Sequence, residues 1–485
     1  MEEEVVEMPR TSDASLPGNL KADFLVFAKK ALEQAQSFVA AEGMPKRAET
    51  LFEFRAPEFS GSAAAGSTIS FRQIEKPDFR GLLLVNRERW GTKEAKDCAR
   101  EHFEREVRRE RQVLGEDWKP IRSPTFGSSG NQLGHQLAYE VHYALADLCE
   151  RLQTLRPDRD QLLEAYDRLI QHWTDPTIEW RLAAPLVNFR TEKCPLRIDG
   201  EIELIALSHE EKTRLWNHNP GFGPFGEPQV MDRSDLARAR FMLVGFSSGA
   251  CDDHGFGPEF ASKVTRVVTA LRLLRAGDVG APAILGTSSG LFEKFASQYV
   301  FDGRVRNSGR VFELRACDWE DFGRIYGALG GLANAMQIPL RRFNQAFGRP
   351  SAEDMIIDLT IALESCLLSN SGAKKVPLSK RGAALLVHLR NPAETESLLR
   401  AMYEVRNEIV HEGKLLCDEG LPKKVERLSP VVAKDFLHAC EDVTRDVLRE
   451  CVLRLAAGGS VVDMCRELDA QMLSSLSLSP RACPG

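Results

Sequence analysis

The sequence predicts an α+β multidomain protein with a mainly helical N-terminal region, a mixed α+β or β-rich middle module and an all-helical bundle at the C-terminus. Three observations carry this reading. A chain of 485 residues is too long for one ordinary core. Apolar residues at 43% and charged residues at 28% give the balance of a folded globular chain, which sets aside disordered and low-complexity classes. The hydrophobic period is helical over 19–175, gives way to strand-length runs over 176–316, and returns to helical from Trp319 onward.

Taken in order, residues 1–18 are acidic and then rich in Ser, Pro and Gly, the composition of a loose tail. Over 22–42, Phe24, Leu25, Phe27, Ala28, Ala31 and Leu32 recur at helical spacing, and Gly43 followed by Pro45 is a helix stop. The Ser, Gly and Ala run over 60–67 reads as a loop, and charges of both signs alternating over 92–114 suit a solvated helix. Helical stretches over 133–155 and 159–173 meet at a Pro157 turn. Extended runs over 181–190 and 195–207 follow, the second broken by the turn Asp199-Gly200. Short apolar runs over 240–245 and 283–285 flank a helix over 260–276 that ends at Gly277. From 319 to 457 helical spacing predicts four or five helices, with breaks near Pro350, over 369–377, at Asn391-Pro392 and over 413–430; residues 473–485 read as a flexible tail.

Several motifs match known chemistry only in letters. Gly221-Phe-Gly-Pro-Phe-Gly226 fits a dinucleotide fingerprint, but Pro224 removes a backbone donor that a pyrophosphate would need. Gly245-Phe-Ser-Ser-Gly249 and Gly286-Thr-Ser-Ser-Gly290 both fit a nucleophile elbow. The second has the better context, a strand before it and a helix expected over 291–299, so Ser288 stands as a remote serine-hydrolase candidate. Cys251-Asp-Asp-His254 clusters metal-ligand types in one loop without a partner pair, and eleven scattered cysteines include no Cys-x-x-Cys, so no metal or cofactor is expected and most thiols should be buried.

The strongest candidate is Arg406-Asn-Glu-Ile-Val-His411. Leu398, Met402, Val405 and Ile409 define one apolar stripe, while Tyr403, Asn407 and His411 fall on the other side and Arg406 on the flank, long enough to reach round. His411 lies in the last turn before Gly413, at the carbonyl end of the helix, where a cation is favoured. An imidazole that exchanges a proton beside a permanently charged guanidinium is equipment for cutting a phosphodiester. A second Arg/His pair, Arg381 with His388, lies in a mostly apolar stretch, and there His388 reads as a packed core histidine.

Four blocks in order, Arg342-Phe-Asn-Gln-Ala-Phe-Gly-Arg-Pro, Asp358-Leu-Thr-Ile-Ala-Leu-Glu-Ser-Cys-Leu-Leu, Lys380-Arg-Gly-Ala-Ala-Leu-Leu and Met402-Tyr-Glu-Val-Arg-Asn-Glu-Ile-Val-His-Glu-Gly, resemble the HEPN superfamily, in particular the Apea-like HEPN proteins of bacteria. The resemblance covers about 320–460, and Ala184-Pro-Leu-Val-Asn-Phe and Leu271-Arg-Leu-Leu-Arg-Ala-Gly are similar to the N-terminal halves of other members. It implies a helical bundle over 319–460 that forms a homodimer, with two Arg/His motifs across a shared cleft, and a metal-independent endoribonuclease of toxin, antiphage-defence or abortive-infection type. Carried over, Arg406 would hold the scissile phosphate, His411 would be general acid or base, and Asn407 would orient the pair. Tyr403, Lys374, Lys375, Lys380 and Arg381 would be RNA contacts. A non-catalytic HEPN module that dimerises and binds RNA or a nucleotide is the alternative.

The charge balance constrains either reading. A net charge of −6 excludes a globally basic nucleic-acid coat, and residues 319–470 hold 20 basic against 22 acidic side chains, so RNA would be held by local groups, with Lys423 and Lys424 among them. No apolar run is long enough to span a bilayer and the N-terminus is acidic where a secretory signal would be basic, so a cytoplasmic protein without a membrane partner is expected.

Overall fold

Helix α1 (Asn19–Glu42) is followed by a hairpin of β1 (Lys46–Arg55) and β2 (Thr68–Pro77), then α2 (Phe79–Val85), α3 (Gly130–Leu152) and α4 (Arg159–Thr174). This computed structural model describes residues 19–55, 68–85, 130–174, 177–208, 210–212, 215, 233–250, 258–288, 295–305, 310–332, 336–368, 375–418 and 420–477. The expected tail over 1–18, the loop over 60–67, the charged helix over 92–114, the Gly221–Gly226 and Cys251–His254 motifs and Lys374 lie outside the described residues. The chain divides into two compact units, one of residues 1–179 with 248–253 and 288–294, the other of the remainder.

In the first unit, Phe24 and Phe27 of α1, Leu82 of α2, Leu145 and Leu148 of α3 and Leu169 of α4 make a closed apolar core. Asp147 on α3 accepts from Arg80 at 2.6 Å, Arg168 at 2.9 Å and Arg151 at 3.2 Å, which clamps three helices onto one carboxylate. Helices α1, α3 and α4 fall where their spacing predicts, whereas α2 and the β1–β2 hairpin have no counterpart in the reading of this region as mainly helical. Its register sets Phe52 opposite Phe71 and Phe54 opposite Ile69, apolar positions matched across the ladder.

The second unit begins with β3 (Thr177–Leu186), β4 (Phe189–Thr191), β5 (Leu196–Arg197), β6 (Glu203–Ala206), α5 (Arg233–Arg238), β7 (Phe241–Ala250), α6 (Pro258–Leu274), β8 (Ala283–Ser288), β9 (Phe295–Tyr299) and β10 (Phe312–Leu314). Six strands form one sheet in the order β5-β6-β7-β3-β8-β9, and β10 pairs parallel with β4. At the β5–β6 turn the Asp199 carboxylate accepts from the backbone N–H groups of Glu201 and Ile202, both at 2.8 Å, so the Asp-Gly signal acts through a local side-chain turn. Every residue of β8 is buried, the polar Thr287 and Ser288 included.

The helical part comprises α7 (Trp319–Gly331), α8 (Gln337–Ala346), α9 (Ala352–Leu367), α10 (Lys375–Leu385), α11 (Pro392–Glu412), α12 (Gly420–Leu428), α13 (Phe436–Ala456) and α14 (Val461–Ser477). Among the described residues, seven helices therefore stand where spacing predicts four or five, and an eighth runs into the stretch read as a tail. Pro339 and Pro422 account for part of the discrepancy, since each sits in the first turn of a helix, where its missing N–H costs nothing. Helix α13 runs through the middle, with Val443, Val447, Leu448, Cys451 and Val452 buried and α6, α7, α9 and α11 packed around it.

Sheet and helices share one core, tied by buried polar groups. Arg272 of α6 is fully buried and donates to the carbonyls of Val279 (2.9 Å), Asp302 (2.8 Å), Asn344 (3.1 Å) and Arg304 (2.5 Å), with Phe347 stacked 4.4 Å from its guanidinium. Burial pulls its pKa down to about 9. Tyr326 of α7 donates to Asp199 at 2.5 Å, fixing the β5–β6 turn against the helices.

Helices α10 and α11 form an antiparallel hairpin whose close approach depends on Gly382. A Cβ there would lie 2.3 Å from Cδ1 of Leu399. Gly382→Ala is expected to destabilise this unit by about 1–3 kcal/mol through overpacking, read as a lowered thermal midpoint; an unchanged midpoint would show that Leu399 swings clear.

Candidate functional site

The candidate helix α11 is set at both ends by its own sequence. Asn391 caps it by accepting from the N–H groups of Ala393 (3.0 Å) and Glu394 (3.2 Å), and Pro392 occupies the first turn. Gly413, at φ 66°, closes it, its N–H reaching the carbonyl of Ile409 at 3.1 Å. Leu398, Leu399, Met402 and Val405 point into the bundle and Ile409 is half-buried, so the remaining face carries Tyr403, Asn407 and His411. His411 is exposed in the last turn, and Tyr403 and Asn407 are half-buried.

Arg406 is half-buried on the flank, and its Nη1 donates to Oδ1 of Asn407 at 3.1 Å. Asn407 and His411 are one turn apart on one face, so this bond draws the guanidinium toward the imidazole side of the helix. No carboxylate pairs with Arg406 among the described residues, and its buried Nε has no acceptor. Its neighbours differ. Arg381 is forked onto Asp469 at 2.8 and 2.7 Å and donates to the Leu367 carbonyl at 2.7 Å, which ties α10 to α14 and occupies the group assigned to RNA.

The acidic residues of α11 form a stripe of their own, one turn apart. Glu404 pairs with Lys375 and, at 3.5 Å, with Lys424; Glu408 pairs with Lys424 and Lys414; Glu412 pairs with Lys414 at 2.7 Å. Hydrogen bonding by Lys414 and Lys424 pulls Glu408 down to about pKa 2, and the bond from Lys375 lowers Glu404. The stripe is thus neutralised within the helix surface, at the expense of Lys375 and Lys424 as free phosphate contacts. Lys380 is exposed on α10. Arg400, seven residues before Asn407 and exposed, belongs to the same face as Tyr403, Asn407 and His411; helical spacing alone could have picked it out, and sequence reasoning missed it.

Two other expectations are corrected. His388 is not a core histidine: α10 ends at Leu385, residues 386–389 form a turn, and the His388 side chain is 49% exposed with Nε2 3.4 Å from Glu450. Past Leu386 the apolar run leaves the core, with Val387 and Leu389 exposed. Ser288 does not sit at a strand-to-helix elbow, because β8 is followed by the antiparallel strand β9 where a helix was expected, and Ser288 itself is buried. Gly245–Gly249 lies within strand β7 and makes no elbow either.

Of the described cysteines, Cys149, Cys366, Cys440, Cys451 and Cys465 are buried, Cys194 is half-buried and Cys317 and Cys417 are exposed; all are free thiols. Among the described residues no group of three or more His, Cys, Asp or Glu side chains is placed to hold a metal ion, and no helix is long and apolar enough to cross a membrane. Compared with protein-family models, with curated proteins and with solved structures, the chain matches none.

Proposed function

We propose that this protein is an HEPN-type, metal-independent endoribonuclease, a bacterial toxin-like or defence effector whose C-terminal helices dimerise and cut RNA with Arg406 and His411. The observation that carries the reading is Arg406, a half-buried guanidinium with no carboxylate partner among the described residues, docked on Asn407 one turn from His411. With no carboxylate on the guanidinium, a phosphate oxygen would be its charged partner. In the reaction His411 takes the proton of a 2′-hydroxyl or gives one to the leaving 5′-oxygen, while Arg406 holds the phosphate and offsets its developing charge. The 2′-oxygen attacks phosphorus, the P–O5′ bond breaks, and a cyclic phosphate and a 5′-hydroxyl result. Val410 and Leu415, 45% and 51% exposed around His411, offer apolar ground on which a second copy would bring its own motif close.

A second reading draws on the lysines. With Lys375 and Lys424 held by Glu404 and Glu408, and Arg381 by Asp469, the cationic surface is thin, which suits a non-catalytic module that dimerises and binds RNA or a nucleotide. Labelled single-stranded RNA incubated with the full chain in EDTA separates the two. Cleavage by the wild type, lowered about 10²–10³-fold in Arg406→Ala, supports the nuclease; binding without cleavage in the wild type favours the module.

A further inference from the structure

The block Arg342-Phe-Asn-Gln-Ala-Phe-Gly-Arg-Pro divides its side chains between two jobs. Phe343, Asn344 and Phe347 turn inward. Asn344 accepts from Arg272 through its carbonyl and side chain, and donates to Thr269 at 2.7 Å, while Phe347 lies under the Arg272 guanidinium. That half of the block builds the core. Arg342 and Arg349 turn outward instead, and both converge on one carboxylate.

Asp358 of α9 is 2% exposed and accepts from Nη1 of Arg342 at 3.0 Å through one oxygen and from Nε of Arg349 at 2.6 Å through the other. Arg381 has Asp469 to itself, whereas Asp446 is shared by Arg390 and Arg449 and Glu441 by Arg310 and Arg445. Asp358 too is shared by two cations. The Arg342 and Arg349 side chains are 33% and 39% exposed, and among the described residues Nη2 of Arg342 and both terminal nitrogens of Arg349 meet no acceptor. Asp354 acts on Arg349 through space without a hydrogen bond to it. A buried carboxylate that fixes two guanidinium planes leaves them oriented before any ligand arrives, so little side-chain entropy is lost when an anion binds.

Position relates this pair to the candidate site. Glu353, in the first turn of α9, accepts from the backbone N–H of Leu416 at 2.8 Å, five residues past His411. Asp358 follows five residues later, about 7.5 Å of helix rise. The pair, through Asp358, and the loop after His411, through Glu353, are thus both anchored on the first two turns of α9.

We infer that Arg342 and Arg349 form a preset fork for a backbone phosphate of single-stranded RNA, gripping the strand away from the scissile bond. The ligand class rests on the nuclease reading above, and the test keeps the two apart. The probe is a short 2′-O-methyl oligouridine, which lacks the attacking hydroxyl and cannot be cut, titrated with the full chain over a range of salt concentrations. Arg349→Gln leaves Asp358 held by Arg342 and is expected to bind several-fold more weakly at a temperature where its own melting curve shows it folded. The triple variant Arg342→Gln, Arg349→Gln, Asp358→Asn removes the cluster without stranding a charge. It is expected to bind about tenfold more weakly, with a salt slope shallower by about 0.7 for each phosphate no longer gripped. His411→Ala is expected to bind like the wild type. Triple-variant affinity within twofold of wild type at every salt concentration overturns the fork, as does a wild type that does not bind the probe. Loss of cutting of unmodified RNA in His411→Ala bears on the nuclease alone.

Discussion

Replacing His411 with alanine is expected to slow RNA cleavage by about 10²–10⁴-fold, the usual contribution of a positioned proton donor or acceptor, while leaving the fold intact. The side chain is exposed, lies in the last turn of its helix and has no place in the apolar face of α11, so its truncation opens no cavity. The helix end is held independently by Gly413 and its bond to Ile409. Stability should therefore change by less than about 0.5 kcal/mol, and any loss of cleavage reports on chemistry. His411→Gln is the stricter control, because it keeps a polar side chain but cannot shuttle a proton. Equal cleavage rates for wild type, His411→Ala and His411→Gln would remove this residue from the mechanism.

The second large effect concerns stability. Glu441 of α13 is fully buried and holds Arg310 at 2.8 and 2.7 Å and Arg445 at 2.6 Å, while Asp278, also fully buried, takes a further bond from Arg310 at 3.1 Å. Arg445 in turn donates to the carbonyl of Arg272 at 2.8 Å. Removing the carboxylate strands a buried guanidinium, which typically costs about 3–5 kcal/mol. Glu441→Ala should thus lower the unfolding midpoint of the second unit by about 10 °C, measured by calorimetry. Glu441→Gln, which retains the shape and one acceptor, should fall between alanine and wild type. A midpoint within two or three degrees of wild type for the alanine variant would show that Asp278 and Asp442 suffice for the two arginines.

Local features of the fold were legible in the sequence wherever the determinant was local. Helix α11 is bounded by Asn391-Pro392 and Gly413, α1 by Gly43, and the β5–β6 turn by Asp199-Gly200, each through a cap or turn made by the residues themselves. The apolar stripe of Leu398, Met402 and Val405 likewise fixed which face of α11 looks outward. What spacing could not supply was partnership over long separations. Arg381 finds Asp469 across 88 residues and Lys375 finds Glu404 across 29, and nothing near either cation in the sequence announces the pairing. Arg406 and Arg381 look alike as letters; only their neighbours in space distinguish a spare cation from a satisfied one. The β1–β2 hairpin has no signal in a region that reads as mainly helical, and β9 reads as helix because a short run fits either period and the cross-strand partner decides between them.

Arg272 reaches four separate carbonyls from a single position on α6, and those carbonyls belong to the stretch after α6, to the segment between β9 and β10, and to α8. Excising the C-terminal helices as a stand-alone fragment would cut through this knot, taking the Asn344 oxygens and the Phe347 ring away from Arg272 and leaving the cation with three of its four carbonyls. Any chimera or trimmed version intended to preserve the Arg406 helix therefore has to inherit the preceding sheet as well, since the two halves were assembled around the same side chain.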